Sequence, residues 1–178
     1  VDLGTMPSRG CKVENILAVS NAGNGIAVGL ATTVTNCSAY INTGHGIATN
    51  SGCAISMCTT YANSDNGINT GAGCSVSACS SNNNTNSGIL TGFAGTIFNC
   101  SARSNSGVGI SAAGFGTRVD NCTAYQNLFS GIEAASGCSV VECTTRLNSL
   151  DGILCSSQCI IRGNNCTSDG FSAGDGAG

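Results

Sequence analysis

Residues 46–66 read GIATNSGCAISMCTTYANSDN, and the next segment, residues 67–87, reads GINTGAGCSVSACSSNNNTNS. Both segments begin with Gly-Ile and carry Cys at their eighth and thirteenth positions and Asn at their eighteenth. Such self-similarity at a fixed period means that one structural unit is copied along the chain, so the repeat has to be identified before any local assignment.

The repeat runs through most of the 178-residue chain. Gly-Ile pairs begin at Gly25, Gly46, Gly67, Gly88, Gly109, Gly131 and Gly152. A Cys column keeps the same steps at Cys37, Cys58, Cys79, Cys100, Cys122 and Cys143, with Ile16 before it and, after two extra residues, Cys166. An Asn column follows it at Asn21, Asn42, Asn63, Asn84, Asn105, Asn127 and Asn148. Agreement of several columns over six or seven units predicts a repeat protein.

Within each unit, small or apolar residues alternate with polar ones over short stretches, as around Cys53 and Ile55. A period of two is typical of strands with one buried face. Three such stretches per unit, separated by Gly or Asn, predict a triangular coil that buries its inner face only by stacking on its neighbours. We expect an all-β solenoid of about seven to eight coils of 21–22 residues, with three short parallel sheets around a narrow core.

With these columns the chain resembles the right-handed parallel β-helix of the pectin-lyase-like superfamily, which is built from parallel-β-helix repeats. The resemblance implies a single solenoid domain over residues 1–178, with a lead-in at 1–10, repeats at 11–166 and a partial coil or tail at 167–178. That fold hosts lyases, hydrolases, epimerases, adhesins and phage tailspikes, so it specifies architecture rather than activity.

The repeated polar columns have a structural interpretation. We expect the Asn column to form a ladder of side-chain amides inside a bend, and Gly before each Ile to fit a crowded corner. Thirteen Cys cannot all pair within one chain, and most fall at inward positions, which favours reduced core thiols. Cys155 and Cys159 lie off the main columns and are the best candidates for a single disulfide.

Composition excludes several classes of function. Only 8% of residues are charged and the net charge is −3, which argues against a nucleic-acid partner. No apolar run approaches the roughly 18 residues of a membrane-spanning helix, so no membrane insertion is expected. The five-residue step from Cys53 to Cys58 is unlike a zinc hook, and the single His45 is interpreted as a surface residue without a carboxylate partner. We expect no metal and no cofactor.

One group of side chains combines acid, base and aromatic character. Arg118 and Asp120 flank inward Val119 and point outward, with Glu142 one coil further and near Asp120. The candidate saccharide-contact residues are Arg103, Arg118, Asp120, Tyr125, Glu142 and Arg146. Tyr rings can stack on sugars and Arg can meet carboxylates, whereas the alternative is a solvated edge with weak ion pairs.

The sequence favours a structural and binding module of an extracellular or surface protein that faces a polysaccharide. The coil length varies by one residue near 112–115 and by two near 162–164, which builds no deep cleft and argues against an enzyme. The alternative is a polysaccharide lyase, epimerase or hydrolase. A third hypothesis is an ice-binding face, based on outward hydroxyls at Thr33, Thr35, Ser56, Ser75, Ser77 and Thr96. Exposed coil ends also suggest end-to-end self-association.

Overall fold

The computed structural model describes residues 9–170, which form 23 three-residue strands and no helix. Most of the predicted lead-in and tail, at 1–8 and 171–178, lies outside the described residues. Sheet A consists of Ile26–Val28 (β3), Ile47–Thr49 (β6), Ile68–Thr70 (β9), Ile89–Thr91 (β12), Ile110–Ala112 (β15), Ile132–Ala134 (β18) and Ile153–Cys155 (β21). Sheet B consists of Lys12–Glu14 (β1), Thr33–Thr35 (β4), Ala54–Ser56 (β7), Ser75–Ser77 (β10), Thr96–Phe98 (β13), Arg118–Asp120 (β16), Ser139–Val141 (β19) and Ile160–Arg162 (β22). Sheet C consists of Leu17–Val19 (β2), Ser38–Tyr40 (β5), Thr59–Tyr61 (β8), Ser80–Asn82 (β11), Ser101–Arg103 (β14), Thr123–Tyr125 (β17), Thr144–Arg146 (β20) and Asn165–Thr167 (β23).

Each strand pairs in parallel with the equivalent strand of the next coil. Ala54 is the register partner of Ser75, one 21-residue step away. Thr96 is the partner of Arg118 across a 22-residue step, because the turn between β15 and β16 contains one extra residue. The predicted all-β solenoid with three parallel sheets is confirmed, and it has about seven turns.

The core is a set of stacked columns. Sheet A turns the first and third residues of its strands inward, whereas sheets B and C turn the central residue inward. The fully buried Ile column of sheet A comprises Ile26, Ile47, Ile68, Ile89, Ile110 and Ile132. The Cys column from Cys37 to Cys143 lies at the corner before sheet C and is equally buried. These columns give each coil an apolar interior that only the neighbouring coils can shield from solvent.

The predicted Asn ladder is present in the bend after sheet C. From Asn21 to Asn148, each side-chain Nδ2 donates to Oδ1 of the Asn in the next coil over 2.7–3.0 Å. The same Oδ1 accepts the backbone N–H of the preceding coil's Asn over 3.0–3.1 Å. The ladder thereby satisfies buried backbone donors that no strand pairing reaches.

The corner before each sheet A strand has no space for a side chain, so glycine is required there. A Cβ at Gly109 would lie 2.6 Å from the backbone oxygen of Gly131 and 2.6 Å from Nδ2 of Asn127. Neither neighbour can withdraw, because one is backbone and the other belongs to the Asn ladder. The close approach of successive coils at this corner therefore excludes any side chain.

The last coil differs from the prediction. Cys166 is the register partner of Thr145, so it does not continue the Cys column. Asn164 takes that place instead, and its Oδ1 accepts the backbone N–H of Cys143 over 2.8 Å. The step from Cys143 to Asn164 is the ordinary 21 residues, so the expected two-residue insertion near 162–164 does not exist.

The proposed disulfide between Cys155 and Cys159 is also wrong. All thirteen cysteines are free. Cys155 continues an inward column of sheet A, opposite Ala134. Cys159 packs one coil beyond Cys138, 21 residues later, so both belong to regular columns rather than lying off them.

Candidate functional site

The outer face of sheet C carries two rows of side chains that repeat once per coil. In-register pairing of parallel strands places the same position of every strand in one row. The first row comprises Ser38, Thr59, Ser80, Ser101, Thr123 and Thr144. The second row comprises Tyr40, Tyr61, Asn82, Arg103, Tyr125 and Arg146. Sheet C thus presents hydroxyls beside a line of aromatic, amide and guanidinium groups.

The second row is ordered by contacts between its members. The rings of Tyr40 and Tyr61 meet edge to face, with centroids 6.3 Å apart and planes at 89°. The guanidinium carbon of Arg103 lies 5.3 Å from the ring centroid of Tyr125, which is a cation–π distance. The predicted outward column containing Arg103, Tyr125 and Arg146 is therefore present as one continuous row.

A depression of about 500 Å³ interrupts the row where Asn82 stands between Tyr61 and Arg103. Its floor includes Ser80 and Ser101, and the Nδ2 of Asn82 donates to the Ser80 hydroxyl over 2.9 Å. The depression forms because Asn82 is shorter than the two side chains that flank it. An aromatic wall, hydroxyls, an amide and a guanidinium converge on this space.

The remaining predicted contact residues lie elsewhere. Arg118 and Asp120 are on sheet B, where Nη2 and Nε of Arg118 bind Oδ2 of Asp120 over 2.6 and 3.1 Å. The register partner of Asp120 is Val141, while Glu142 occupies the following corner with a left-handed backbone (φ 52°). The six candidates thus separate into a sheet C group, a sheet B ion pair and a corner residue.

The charge of the outer face of sheet C differs from that of the Arg118–Asp120 pair on sheet B. Arg103 and Arg146 are cationic, and the strands β2, β5, β8, β11, β14, β17, β20 and β23 contain no carboxylate. The Arg118–Asp120 pair, by contrast, is neutral overall, with the Arg118 side chain about half exposed and that of Asp120 partly buried. The sheet C surface is therefore suited to an anionic or hydroxylated ligand.

His45 has partners that the sequence interpretation missed. Its Nδ1 lies 3.4 Å from Oδ2 of Asp65, and its Nε2 lies 2.9 Å from Nδ2 of Asn69. The expectation that His45 has no carboxylate partner is wrong. The repeat contains the missing signal: Asp65 follows His45 by 20 residues, so it lies at the same corner of the next coil, one position before Asn66, the equivalent of His45.

Hydrogen bonding with Cys79 lowers the pKa of the buried Cys58 thiol, whereas the pKa values of the thiols from Cys100 to Cys143 are raised, which makes these poor nucleophiles. Hydrogen bonding with Cys100, followed by burial, raises the pKa of the Cys122 thiol to about 12. Hydrogen bonding with Cys122, followed by burial, also raises the pKa of the Cys143 thiol. Within residues 9–170, no group of three or more His, Cys, Asp or Glu side chains is placed to hold a metal ion. That part of the chain also has no helix long and apolar enough to cross a membrane.

Comparison with known proteins identifies the architecture. No family model and no curated protein matches the chain. Among solved structures it is similar to the enzymatically active domain of tailspike protein 2 of bacteriophage CBA120, with a TM-score of 0.51 and 10% identity over 85% of this chain and 33% of that one. It therefore spans about a third of the tailspike chain's length. A likeness to QnrB1, a plasmid-mediated fluoroquinolone resistance protein, has a TM-score of 0.41 with 10% identity over 87% of this chain and 93% of that one, too low to support an argument. At this identity the tailspike likeness shows the fold alone.

Proposed function

We propose that the chain is a saccharide-binding module, and that an acidic polysaccharide lies along the outer face of sheet C. The observation that carries this proposal is the depression between Tyr61 and Arg103. We place the module outside the cell or at its surface as part of the same proposal, since polysaccharides are accessible there.

The chemistry of the depression matches that of a sugar ring. Tyr61 is 44% exposed, so its ring can pack against the apolar face of a sugar. Ser80 and Ser101 can exchange hydrogen bonds with ring hydroxyls, and Arg103 can bind a uronate carboxylate through a charge-assisted pair. Arg146 continues the cationic character two coils further along the row.

The spacing of the row suits a polymer rather than a single sugar. Successive coils are separated by about 4.8 Å, so Tyr61 and Arg103 lie roughly 10 Å apart along the solenoid axis. A chain that follows the axis would meet one outward side chain per coil. Binding is favoured over cleavage, because the strands of sheet C carry no carboxylate or imidazole that could act as a general acid or base.

Calorimetric titration with polygalacturonate, and with dextran as a neutral polymer, tests this proposal. We expect saturable binding of polygalacturonate that weakens at least about five-fold in both Tyr61→Ala and Arg103→Ala, the effect of losing roughly 1 kcal/mol of contact energy. Arg118→Ala is the matched control, because it removes an exposed cation from sheet B and leaves sheet C intact.

Two results would overturn the proposal. One is the absence of polygalacturonate binding at any salt concentration. The other is an equal loss of affinity in Arg118→Ala and Arg103→Ala, which would mean that only net charge matters. Because the similar tailspike domain is described as enzymatically active, the same mixtures are assayed at 232 nm for unsaturated products. If unsaturated products form and Arg103→Ala abolishes their formation, the function of this surface is catalysis rather than binding alone.

A further inference from the structure

A second polar cluster lies at the corner that leads into sheet A, on a different face from the sheet C surface. It consists of His45, Asp65 and Asn69, which come from two successive coils. His45 is held in place through its backbone, because its N–H donates to Oδ1 of Asn24 over 2.9 Å. Its side chain is only 19% exposed, so the ring is fixed against the coil rather than free in solvent.

The carboxylate of Asp65 is oriented toward the imidazole. Its Oδ1 accepts the backbone N–H of Asn66 over 2.8 Å and Nδ2 of Asn86 over 3.2 Å. Oδ2 lies 3.4 Å from Nδ1 of His45, and Nδ2 of Asn66 lies 3.5 Å from the same nitrogen. The Asn69 amide, which donates to Nε2 over 2.9 Å, and the carboxylate near Nδ1 together favour the tautomer with its proton on Nδ1, which leaves Nε2 as a hydrogen-bond acceptor.

The acceptor nitrogen faces a shallow groove of about 350 Å³ beside sheet A. Ala27 and Ala48 line this groove, and Nδ2 of Asn69 donates to Nε2 across its edge over 2.9 Å. The same outward position carries Asn69, Leu90, Ser111, Glu133 and Leu154 in later coils. The groove lies where two successive coils carry alanine in this column.

We propose that His45, Asp65 and Asn69 form a binding site for a neutral polyhydroxylated ligand such as a sugar. A ligand hydroxyl donates to Nε2 of His45 in place of the Asn69 amide, and that amide then donates to a neighbouring ligand oxygen. Asp65 fixes the tautomer and also repels an anionic ligand, so this site prefers neutral sugars. The site does not depend on the sheet C surface, which has the opposite charge preference.

Nuclear magnetic resonance of the imidazole nitrogens provides the test, since His45 is the only histidine of the chain and its signals need no assignment. In mildly alkaline buffer, we expect the free protein to show a protonated Nδ1 and an unprotonated Nε2. Asp65→Asn should shift the population toward the Nε2-protonated tautomer. Asp151→Asn, which removes an acid from the same corner four coils later, should leave it unchanged.

Titration with a panel of neutral monosaccharides, namely glucose, galactose, mannose and fucose, completes the experiment. At least one sugar should move the Nε2 resonance saturably, with affinity about five-fold weaker in Asn69→Ala and unaffected by Arg103→Ala. Galacturonate should bind this site more weakly than galactose. An Nε2-protonated His45 in the free protein, or an Nε2 resonance that none of the four sugars moves, would overturn the proposal without bearing on polygalacturonate binding by sheet C.

Discussion

The side-chain amide of Asn148 donates to Oδ1 of Asp169 over 2.7 Å, so the ladder of seven asparagines ends on a carboxylate. The same oxygen accepts the backbone N–H of Asn148 over 2.9 Å, and Oδ2 accepts the hydroxyl of Thr145 over 2.9 Å. Asp169 thus satisfies three donors of the preceding coil. It does for the last turn what the next asparagine does for every other turn.

Replacing Asp169 by Ala should destabilise the C-terminal coils. The change leaves two donors of Asn148 and one of Thr145 without an acceptor, and each such group costs about 1–3 kcal/mol when it stays buried. We expect a loss of about 2–4 kcal/mol in the free energy of unfolding, measured by urea denaturation. Asp169→Asn keeps an acceptor oxygen for Asn148 and should lose less than half of that. Equal stability of Asp169→Ala and the unmodified protein would contradict the assigned role.

Two fully buried threonines should respond in opposite directions to replacement by valine. Oγ1 of Thr91 has no hydrogen-bond partner within residues 9–170, whereas the hydroxyl of Thr145 is bound to Asp169. Thr91→Val should raise the free energy of unfolding by about 1 kcal/mol, and Thr145→Val should lower it by a similar amount. Thermal and urea unfolding of both variants check this. A loss in Thr91→Val would show that its hydroxyl is satisfied in solution.

Alkaline pH should destabilise the fold through its thiols. Hydrogen bonding with Cys100, followed by burial, raises the pKa of Cys122 to about 12 from an ordinary value of 9.0. Above pH 9 the unfolded chain therefore loses this proton while the folded protein keeps it, and stability falls as pH rises toward 12. Each such thiol contributes a decrease of about 1.4 kcal/mol per pH unit in that window.

Urea denaturation at several pH values measures that slope. Cys122→Ala removes one titrating thiol, so its stability should fall less steeply above pH 9, even though the variant is less stable at neutral pH. Parallel slopes for the variant and the unmodified protein would contradict the prediction.

Glycine at the corner before sheet A should tolerate no methyl group. A Cβ at Gly109 meets the backbone oxygen of Gly131 at 2.6 Å, so Gly109→Ala has to displace two coils and should cost about 3 kcal/mol or more. Gly23→Ala is the matched control, because nothing lies within 4 Å of its Cβ position and its φ is not left-handed. That control should be neutral or slightly more stable, by up to about 1 kcal/mol. Similar melting temperatures for the two variants would refute the steric argument.

The period of the sequence was sufficient to predict the fold. Asn63 and Asn84 occupy equivalent positions 21 residues apart, and equal spacing in a stacked solenoid means direct contact, as their 3.0 Å hydrogen bond shows. The error at Cys166 arose from following residue type instead of spacing: Asn164 is the residue 21 positions after Cys143. In this fold the step length decides the column, and the chemical identity of the residue does not.

The candidate sites were harder to predict than the fold, because some of their contacts join residues of different columns. Arg103 and Tyr125 occupy one column, as predicted, whereas Glu142, predicted one coil beyond Asp120, stands at the corner directly after Val141, the register partner of Asp120. The contact of His45 with Asp65 joins two different columns across a turn. Such a contact depends on the corner's backbone path, which a column-by-column comparison of the sequence does not describe.

The side-chain amide dipoles of the asparagine ladder all point in the same direction. Each amide turns its oxygen toward the preceding coil and its N–H₂ toward the following one, from Asn21 to Asn148. Seven dipoles are therefore aligned head to tail through the protein, as peptide dipoles are in a helix, and hydrogen bonds in such a chain polarise one another. The positive end of this column points at Asp169, the one position in it where the chain places a negative charge.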